Sequence, residues 1–184
     1  MNRIEAEELL KSYIKNEKML YHCYSSEAVL RALAKHLGRD EEKWALAGLL
    51  HDIDSEITNG DSKRHALEAV EILRKHGIDE EIIDAVKMHN EQATGMERST
   101  EFQFALAAGE TITGLIYATA LVYPYRKIKD VQAKSVTKRM NQAAFAASVN
   151  RSTILECEKI GIPLNEFAEI SLNAMKEIAE KIGL

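Results

Sequence analysis

Apolar residues recur at intervals of three and four positions along almost the whole chain, with polar and charged residues between them. This period places the apolar side chains on one face of an α-helix, and no run of strict alternation is long enough to indicate a sheet. The pattern therefore predicts an all-α fold. The predicted helices cover residues 3–15, 18–37, 41–53, 63–76, 79–90, 101–122, 130–142, 150–160 and 164–182.

Residue types that begin and end helices support several of these boundaries. Glycine in the left-handed conformation commonly closes a helix, and three glycines each follow an amphipathic run. They are Gly38, Gly77 and Gly161, with Pro163 opening the last helix soon after the third. The predicted N-caps are Asp40, Asp79 and Asn150. Two segments, 54–62 and 91–100, are expected to be loops, where ligands commonly enter a rigid scaffold.

The composition favours one globular domain covering residues 1–184. The chain is 46% hydrophobic and contains only two prolines and nine glycines, so its helices can bury a sizeable core with few interruptions. Its two cysteines cannot build a disulfide framework, which favours a cytoplasmic location. The acidic N-terminus lacks the layout of a secretory signal, and the apolar run 112–123 is too short to span a bilayer. We therefore expect no membrane partner.

The net charge of −5 argues against general nucleic-acid binding, which depends on neutralising many phosphates, so no nucleic-acid partner is expected. One segment departs from this acidic balance, with Asp130 as its only opposing charge. Its cations are Arg126, Lys127, Lys129, Lys134, Lys138 and Arg139. Such a run is usually a solvated helix face, although it could also hold a small anion.

The six histidines fall into two groups. His36 and His76 lie just before glycines at predicted helix ends, where an imidazole can bond the last carbonyls. The other four lie along apolar faces or end an apolar run, and they are His22, His51, His65 and His89. One such histidine is usually a hydrogen-bonded core residue, but four together suggest a shared cause.

Two carboxylates strengthen this interpretation. Asp52 ends the apolar run that begins at Trp44, and Glu110 lies in a predicted helix with no other charge between Glu101 and Arg126. An ionised carboxylate buried there would cost several kcal/mol without a matching cation. A divalent metal would satisfy both acids and several imidazoles together. The alternative is a protonated Glu110 bonded to a backbone carbonyl or a neighbouring threonine.

Taken in order, these residues and the stretch GLLHDID resemble the HD-domain superfamily, whose members are mostly metal-dependent phosphohydrolases. The stretches RHALEAVEILRKHGIDEEIIDAVKMHN, TITGLIYATALVYP and KDVQAKSVTKRMNQAAFAASVNRSTI are similar to its small single-domain bacterial branch. The chain departs from the pattern where Glu110 stands in place of the usual aspartate and where no lysine directly follows HDID.

The resemblance implies a compact orthogonal helical bundle. Its metal-binding core would cover about residues 18–125, with the helices of 126–184 packed on it. The implied ligands of one ion are His22, His51, Asp52 and Glu110. Adding His65 and His89 completes the set that holds a second ion in related families, with Asp52 bridging. Nitrogen and oxygen ligands without thiolate fit Mn, Fe, Co, Ni or Zn better than Ca.

The function that the resemblance implies is a metal-dependent phosphohydrolase acting on a small phosphorylated metabolite such as a nucleotide, with His51 and Asp52 as catalytic residues. Lys134, Lys138 and Arg151 are candidate phosphate anchors, although each could equally face solvent. Asp54 and Glu56 could position water, but loop carboxylates are expected at the surface.

Two alternatives remain at this point. Some relatives hold two irons and oxidise small substrates with O₂, and a divergent domain could bind a metabolite or partner without turnover. Assembly into a homo-oligomer is also possible.

Overall fold

The computed structural model describes the chain from Met1 to Leu184 and contains helices but no strand, which confirms the predicted all-α class. The α-helices are α1 (Arg3–Tyr13), α2 (Glu17–Leu37), α3 (Glu41–Leu50), α4 (Ser55–Thr58), α5 (Leu67–Lys75), α6 (Glu80–Met88), α7 (Glu91–Thr94), α8 (Glu101–Leu121), α9 (Ala133–Met140), α10 (Arg151–Leu155) and α11 (Leu164–Glu177). Short 3₁₀ helices cover Pro124–Arg126, Ile128–Asp130, Glu156–Ile160 and Ala179–Ile182.

Helix α8 lies at the centre of the bundle and contacts α2, α3, α6, α9, α10 and α11. Thr100 begins it with a capping box, in which the Thr100 and Gln103 side chains each bond the other's backbone N–H. Its length and apolar composition would allow a membrane crossing, but 61% of its most apolar 18-residue stretch is buried inside the bundle. Core helices of soluble proteins have the same composition, so this feature is weak evidence for a span.

Helices α2 and α3 make the most extensive contact in the molecule, and Gly48 permits it. A Cβ atom at residue 48 would lie 2.5 Å from the Ser26 carbonyl oxygen and 2.9 Å from the Glu27 nitrogen. Only a residue without a side chain therefore allows the two backbones to approach so closely. This contact brings the middle of α2 beside the C-terminal end of α3.

One continuous apolar core extends from α1 to the C-terminal residues. The largest fully buried side chains include Phe167 of α11, Leu106 of α8 and Leu30 of α2. Trp44 and Phe102 stack with ring centroids 4.9 Å apart, which joins α3 to the start of α8. The C-terminal helices therefore share their core with the helices that carry the predicted ligands.

The predicted caps are confirmed, but several boundaries differ from prediction. Asp40, Asp79 and Asn150 each accept a bond from a backbone N–H of the first turn. The helix predicted to begin at residue 63 begins at Leu67, because Ala66 adopts the left-handed φ of 75°. Both predicted loops contain one short helix, α4 and α7. The predicted helices 150–160 and 164–182 each change to 3₁₀ geometry before they end.

Glu7 anchors α1 to α2 and gives a pH-dependent prediction. The Lys11 ammonium and the Tyr24 hydroxyl lie 2.8 and 2.9 Å from its Oε1, and Arg3 also donates to this carboxylate. Burial raises its pKa, but these donors outweigh burial and lower the pKa to about 2. Because the unfolded value is near 4.5, this carboxylate stabilises the fold above that pH.

We expect the difference in free energy of unfolding between wild type and Glu7→Gln to shrink as the pH falls from about 4.5 to about 2, starting from at most about 3 kcal/mol. Urea denaturation at several pH values measures it. The exposed neighbour Glu8 provides the control, Glu8→Gln. A difference that stays constant from pH 7 to pH 3 would contradict this assignment.

Candidate metal centre

The fold brings all six predicted ligands together from five parts of the chain. His22 lies in α2, His51 ends α3 with Asp52 directly after it, and Glu110 lies in the middle of α8. His89 follows the last residue of α6. His65 was predicted within a helix, but it lies in the turn before α5.

The four imidazoles form two pairs, and both pairs contact Asp52. The Nε2 atoms of His22 and His51 are 3.1 Å apart, and those of His65 and His89 are 2.9 Å apart. The Oδ1 atom of Asp52 lies 3.5 Å from His51 Nε2 and 3.2 and 3.5 Å from those of His65 and His89. Its Oδ2 atom lies 3.5 Å from His22 Nε2. Asp52 therefore belongs to two separate groups of three ligands.

Each imidazole is oriented by a partner of its outer nitrogen, Nδ1. His51 Nδ1 donates to the Gly48 carbonyl over 2.9 Å, and His89 Nδ1 donates to the Val86 carbonyl. His22 Nδ1 lies 3.0 Å from the Thr113 hydroxyl, which itself donates to the Glu110 carbonyl. Since that hydroxyl proton is already used, Thr113 accepts from His22. The inner Nε2 atoms of His22 and His51 therefore carry lone pairs.

This arrangement fits a metal ion. Two lone pairs 3.1 Å apart repel each other unless a cation lies between them or beside them. His51 cannot easily supply that charge itself, because burial lowers its pKa to about 3. For the Asp52 carboxyl, burial acts in the opposite direction and raises the pKa. The surrounding imidazoles outweigh burial and hold the pKa of Asp52 well below its usual value. Neutral nitrogens around one carboxylate are a suitable donor set for a divalent transition metal.

The second pair differs because His65 has two acidic partners. Burial lowers its pKa, but hydrogen bonds to Asp52 and Asp54 outweigh burial and raise the pKa to about 10. A proton on His65 therefore competes with a metal at this pair, and binding a metal there would release that proton.

Glu110 lies at the edge of the cluster. Its Oε2 atom is 3.6 Å from His22 Nε2, and no other imidazole lies within 4.0 Å of its carboxylate. Its Oε1 atom accepts the Thr111 hydroxyl. Burial raises its pKa. These contacts suit either a ligand of the His22 and His51 position or the threonine-bonded acid that the sequence also allowed.

The part of the chain that carries this cluster matches a known protein family. The family model described as HD domain matches residues 19–130, more than half of the chain. The chain belongs to the HD-domain family. That membership confirms the resemblance seen in the sequence, and the matched range begins just before His22 and ends after Glu110.

Curated relatives of this HD domain include several proteins named Ribonuclease Y. The protein from Mycoplasma mycoides is 33% identical over 97 residues, which are 53% of this chain and 22% of that protein. The protein from Sulfurovum sp. (strain NBC37-1) is 23% identical over 171 residues, 90% of this chain and 33% of the relative. This chain thus spans only about a fifth to a third of the length of these relatives. No solved structure matches it significantly.

Asp54 is the residue of the HD domain that sequence reasoning placed wrongly. It was expected at the surface, but its side chain is completely buried. Its Oδ1 atom accepts His65 Nδ1 over 2.8 Å, and its Oδ2 atom accepts the Ala69 backbone N–H over 3.0 Å. Asp54 therefore orients a predicted ligand and joins the chain after α3 to α5. The left-handed Ala66 between these contacts costs about 1–3 kcal/mol of strain.

We expect Asp54→Asn to weaken metal binding at the His65 and His89 position by about 10–100-fold, because the charged partner of His65 is lost. Binding at the His22 and His51 position should change much less. Calorimetric titration with Zn²⁺ or Mn²⁺ measures both. The control is Asp61→Asn, an exposed carboxylate in the same segment. Equal affinities of Asp54→Asn and wild type for both ions would refute the positioning role.

No hydrogen bond or ion pair joins a predicted phosphate anchor to a predicted ligand. Lys134 and Lys138 are exposed, and neither borders the cavity that is lined by His22, His89 and Glu110. Arg151 donates to the carbonyls of Phe145, Ala146 and Val149, so its guanidinium holds its own preceding segment together. The remaining loop carboxylate, Glu56, is exposed and accepts two backbone N–H groups before α2, at 2.7 Å each.

A cavity of about 340 Å³ opens beside the candidate metal centre. The predicted ligands that border it are His22, His89 and Glu110. Its outer wall comes from α8 and from the segment that leads into α10, and consists of Thr111, Gly114, Ser148, Val149, Asn150 and Thr153. None of these wall residues was predicted as a site residue, because they carry no charge and are not metal-ligand types.

Proposed function

We propose that this chain is a metal-dependent phosphohydrolase that hydrolyses a phosphate ester of a small metabolite, with nucleotides among the candidate substrates. The observation that carries the proposal is the pair of facing imidazoles, His22 and His51, beside the carboxylate of Asp52. Membership of the HD-domain family and the similarity to proteins named Ribonuclease Y support phosphate-ester hydrolysis as the class of reaction.

The predicted ligands form two candidate metal-binding positions that share the Asp52 carboxylate. His22, His51 and Asp52 would hold one divalent ion, with Glu110 at its edge, and His65 and His89 with Asp52 would hold a second. Mn, Fe, Co, Ni and Zn all suit these donors. When bound, such ions lower the pKa of a water molecule and offset the negative charge that grows on the phosphoryl oxygens.

The chain's own residues prepare the site for hydrolysis. The Nδ1 bonds hold the inner nitrogen of each imidazole toward the Asp52 carboxylate, so the ligands need not reorient when substrate arrives. His51 is fully buried and keeps bulk water from the inner side of the site. A bond forms between the water oxygen and phosphorus while the ester P–O bond breaks, and the products are an alcohol and inorganic phosphate. The departing alcohol would lie in the cavity beside Glu110.

Phosphate release measures this activity directly. The protein is loaded in turn with Mn, Fe, Co, Ni and Zn and assayed with sugar phosphates, nucleoside phosphates and p-nitrophenyl phosphate. Cyclic phosphodiesters, whose hydrolysis leaves a monoester, are followed by chromatography of the product. We expect turnover of at least one ester and its loss in His22→Ala, with His36→Ala as an active control because His36 lies outside the site. Absence of turnover with every metal and ester would refute the proposal.

A di-iron oxygenase is the second candidate, because two ligand groups sharing one carboxylate also suit two irons. Metal analysis separates the two candidates. An oxygenase would purify with close to two irons per chain and an iron absorption band, and would consume O₂ with its substrate.

A further inference from the structure

We propose that the cavity beside the metal centre selects phosphate monoesters of neutral polyols, such as sugar phosphates, over nucleotides and nucleic-acid strands. This inference rests on the proposed function and names its substrate class. It is carried by three properties of the cavity wall, which are its charge, its lack of phenylalanine, tyrosine and tryptophan, and its free hydrogen-bonding groups.

The first property is that the wall contains no cation. Apart from the imidazoles, the only ionisable group of the wall is the Glu110 carboxylate. The guanidinium of Arg151, a predicted phosphate anchor, donates to three backbone carbonyls instead. The metal centre can neutralise one phosphoryl group. The additional phosphates of a nucleoside triphosphate, or the flanking phosphates of a nucleic-acid strand, would find no cation here and would approach a carboxylate.

The second property is that no phenylalanine, tyrosine or tryptophan borders the cavity, and its two imidazoles, His22 and His89, are predicted metal ligands. A nucleobase is usually held by stacking on an aromatic face, which contributes appreciably to the binding of each base. Val149 is the only hydrophobic residue of the wall. A nucleotide would therefore leave the two faces of its base without a partner of similar shape. A polyol has no such requirement.

The third property is a set of uncommitted hydroxyl and amide groups. The hydroxyls of Ser148 and Thr153 make no hydrogen bond within the chain, whereas most polar side chains near the site do. Asn150 uses Oδ1 to accept the N–H groups of Ser152 and Thr153, which leaves its amide NH₂ free to donate. Hydroxyls both donate and accept, so they match the hydroxyls of a sugar.

The size of the cavity agrees with this assignment. A volume of about 340 Å³ is at the lower end of the range for small-molecule sites, which is about 300–1,000 Å³. It accommodates a sugar ring beside the candidate metal centre.

The test is steady-state kinetics of the metal-loaded protein with glucose 6-phosphate, ribose 5-phosphate, AMP, ATP and p-nitrophenyl phosphate. We expect kcat/KM for the sugar phosphates to exceed the values for AMP and ATP by about tenfold or more. The variants Thr153→Val and Ser148→Ala should each lower the sugar-phosphate values by about tenfold and change the p-nitrophenyl phosphate value by less than about twofold. Thr137→Val in α9 is the matched control.

The outcomes separate this inference from the proposed function. Preference for AMP or ATP, or an equal loss on all substrates in Thr153→Val, overturns the polyol assignment and leaves hydrolysis established. If no ester is turned over, the proposed function fails, and calorimetric titration of the metal-loaded protein with glucose 6-phosphate decides the polyol assignment. Binding that Thr153→Val weakens supports it, and absence of binding overturns it.

Discussion

We expect Asp52→Asn to lose both metal ions and to lower phosphate-ester hydrolysis by on the order of 10³-fold. The Asp52 carboxylate lies within 3.5 Å of all four inner imidazole nitrogens, so both ligand groups depend on it. Asparagine has nearly the same shape, but it is neutral and offers one carbonyl oxygen in place of two anionic ones. The change therefore removes the one charge that both ions would share.

Elemental analysis of the purified variant and phosphate-release assays measure this result. Asp130→Asn is the matched control, because that aspartate is exposed and lies outside the site. Thermal unfolding followed by circular dichroism shows whether the helices remain. An Asp52→Asn protein that keeps two ions with unchanged affinity would show that the imidazoles bind metal without this carboxylate.

The second large effect is expected from Gly48→Ala, which should lower the free energy of unfolding by about 3 kcal/mol. The new methyl group would meet backbone atoms of Ser26 and Glu27 at 2.5–2.9 Å, and backbone in two packed helices cannot move aside cheaply. Separation of α2 from α3 would also move the Gly48 carbonyl that orients His51. We therefore expect weaker metal binding together with the loss of stability.

Urea denaturation of the metal-free protein measures the stability term separately from metal binding. The control is Gly114→Ala, whose methyl group would meet only the Val149 side chain, at 3.2 Å. We expect that variant to change the unfolding free energy by less than about 1 kcal/mol. Similar stabilities of Gly48→Ala and wild type would contradict the close approach of α2 and α3.

The helices and their caps could be predicted because their causes are local. The apolar period of α2 and the Asp40 and Asp79 caps depend on residues within one or two turns of each other. The same period placed His22 and His89 on inward faces, which is where the structure has them. Local pattern was also enough to find the central helix that carries Glu110.

The geometry around His65 could not be predicted, because it depends on contacts between distant parts of the chain. Asp54 accepts hydrogen bonds from both His65 and the Ala69 N–H, and Ala66 between them has a positive φ. No sequence pattern indicates this backbone conformation. An aspartate in a predicted loop gives no sign that it will be buried.

The predicted phosphate anchors show a second limit. Positive charge along the chain does not reveal whether a side chain faces a cavity, and Arg151 is used by its own segment. The residues that do border the cavity, such as Ser148 and Thr153, are small, neutral and common. Only their position in the folded chain distinguishes them.

The most direct test of the metal centre is anomalous diffraction from crystals grown without chelator, combined with elemental analysis of the same protein. Two anomalous peaks are expected, one beside His22, His51 and Asp52 and the other beside Asp52, His65 and His89. Crystals in which these side chains bond only to one another around an empty space, from protein that contains no transition metal, would contradict the account.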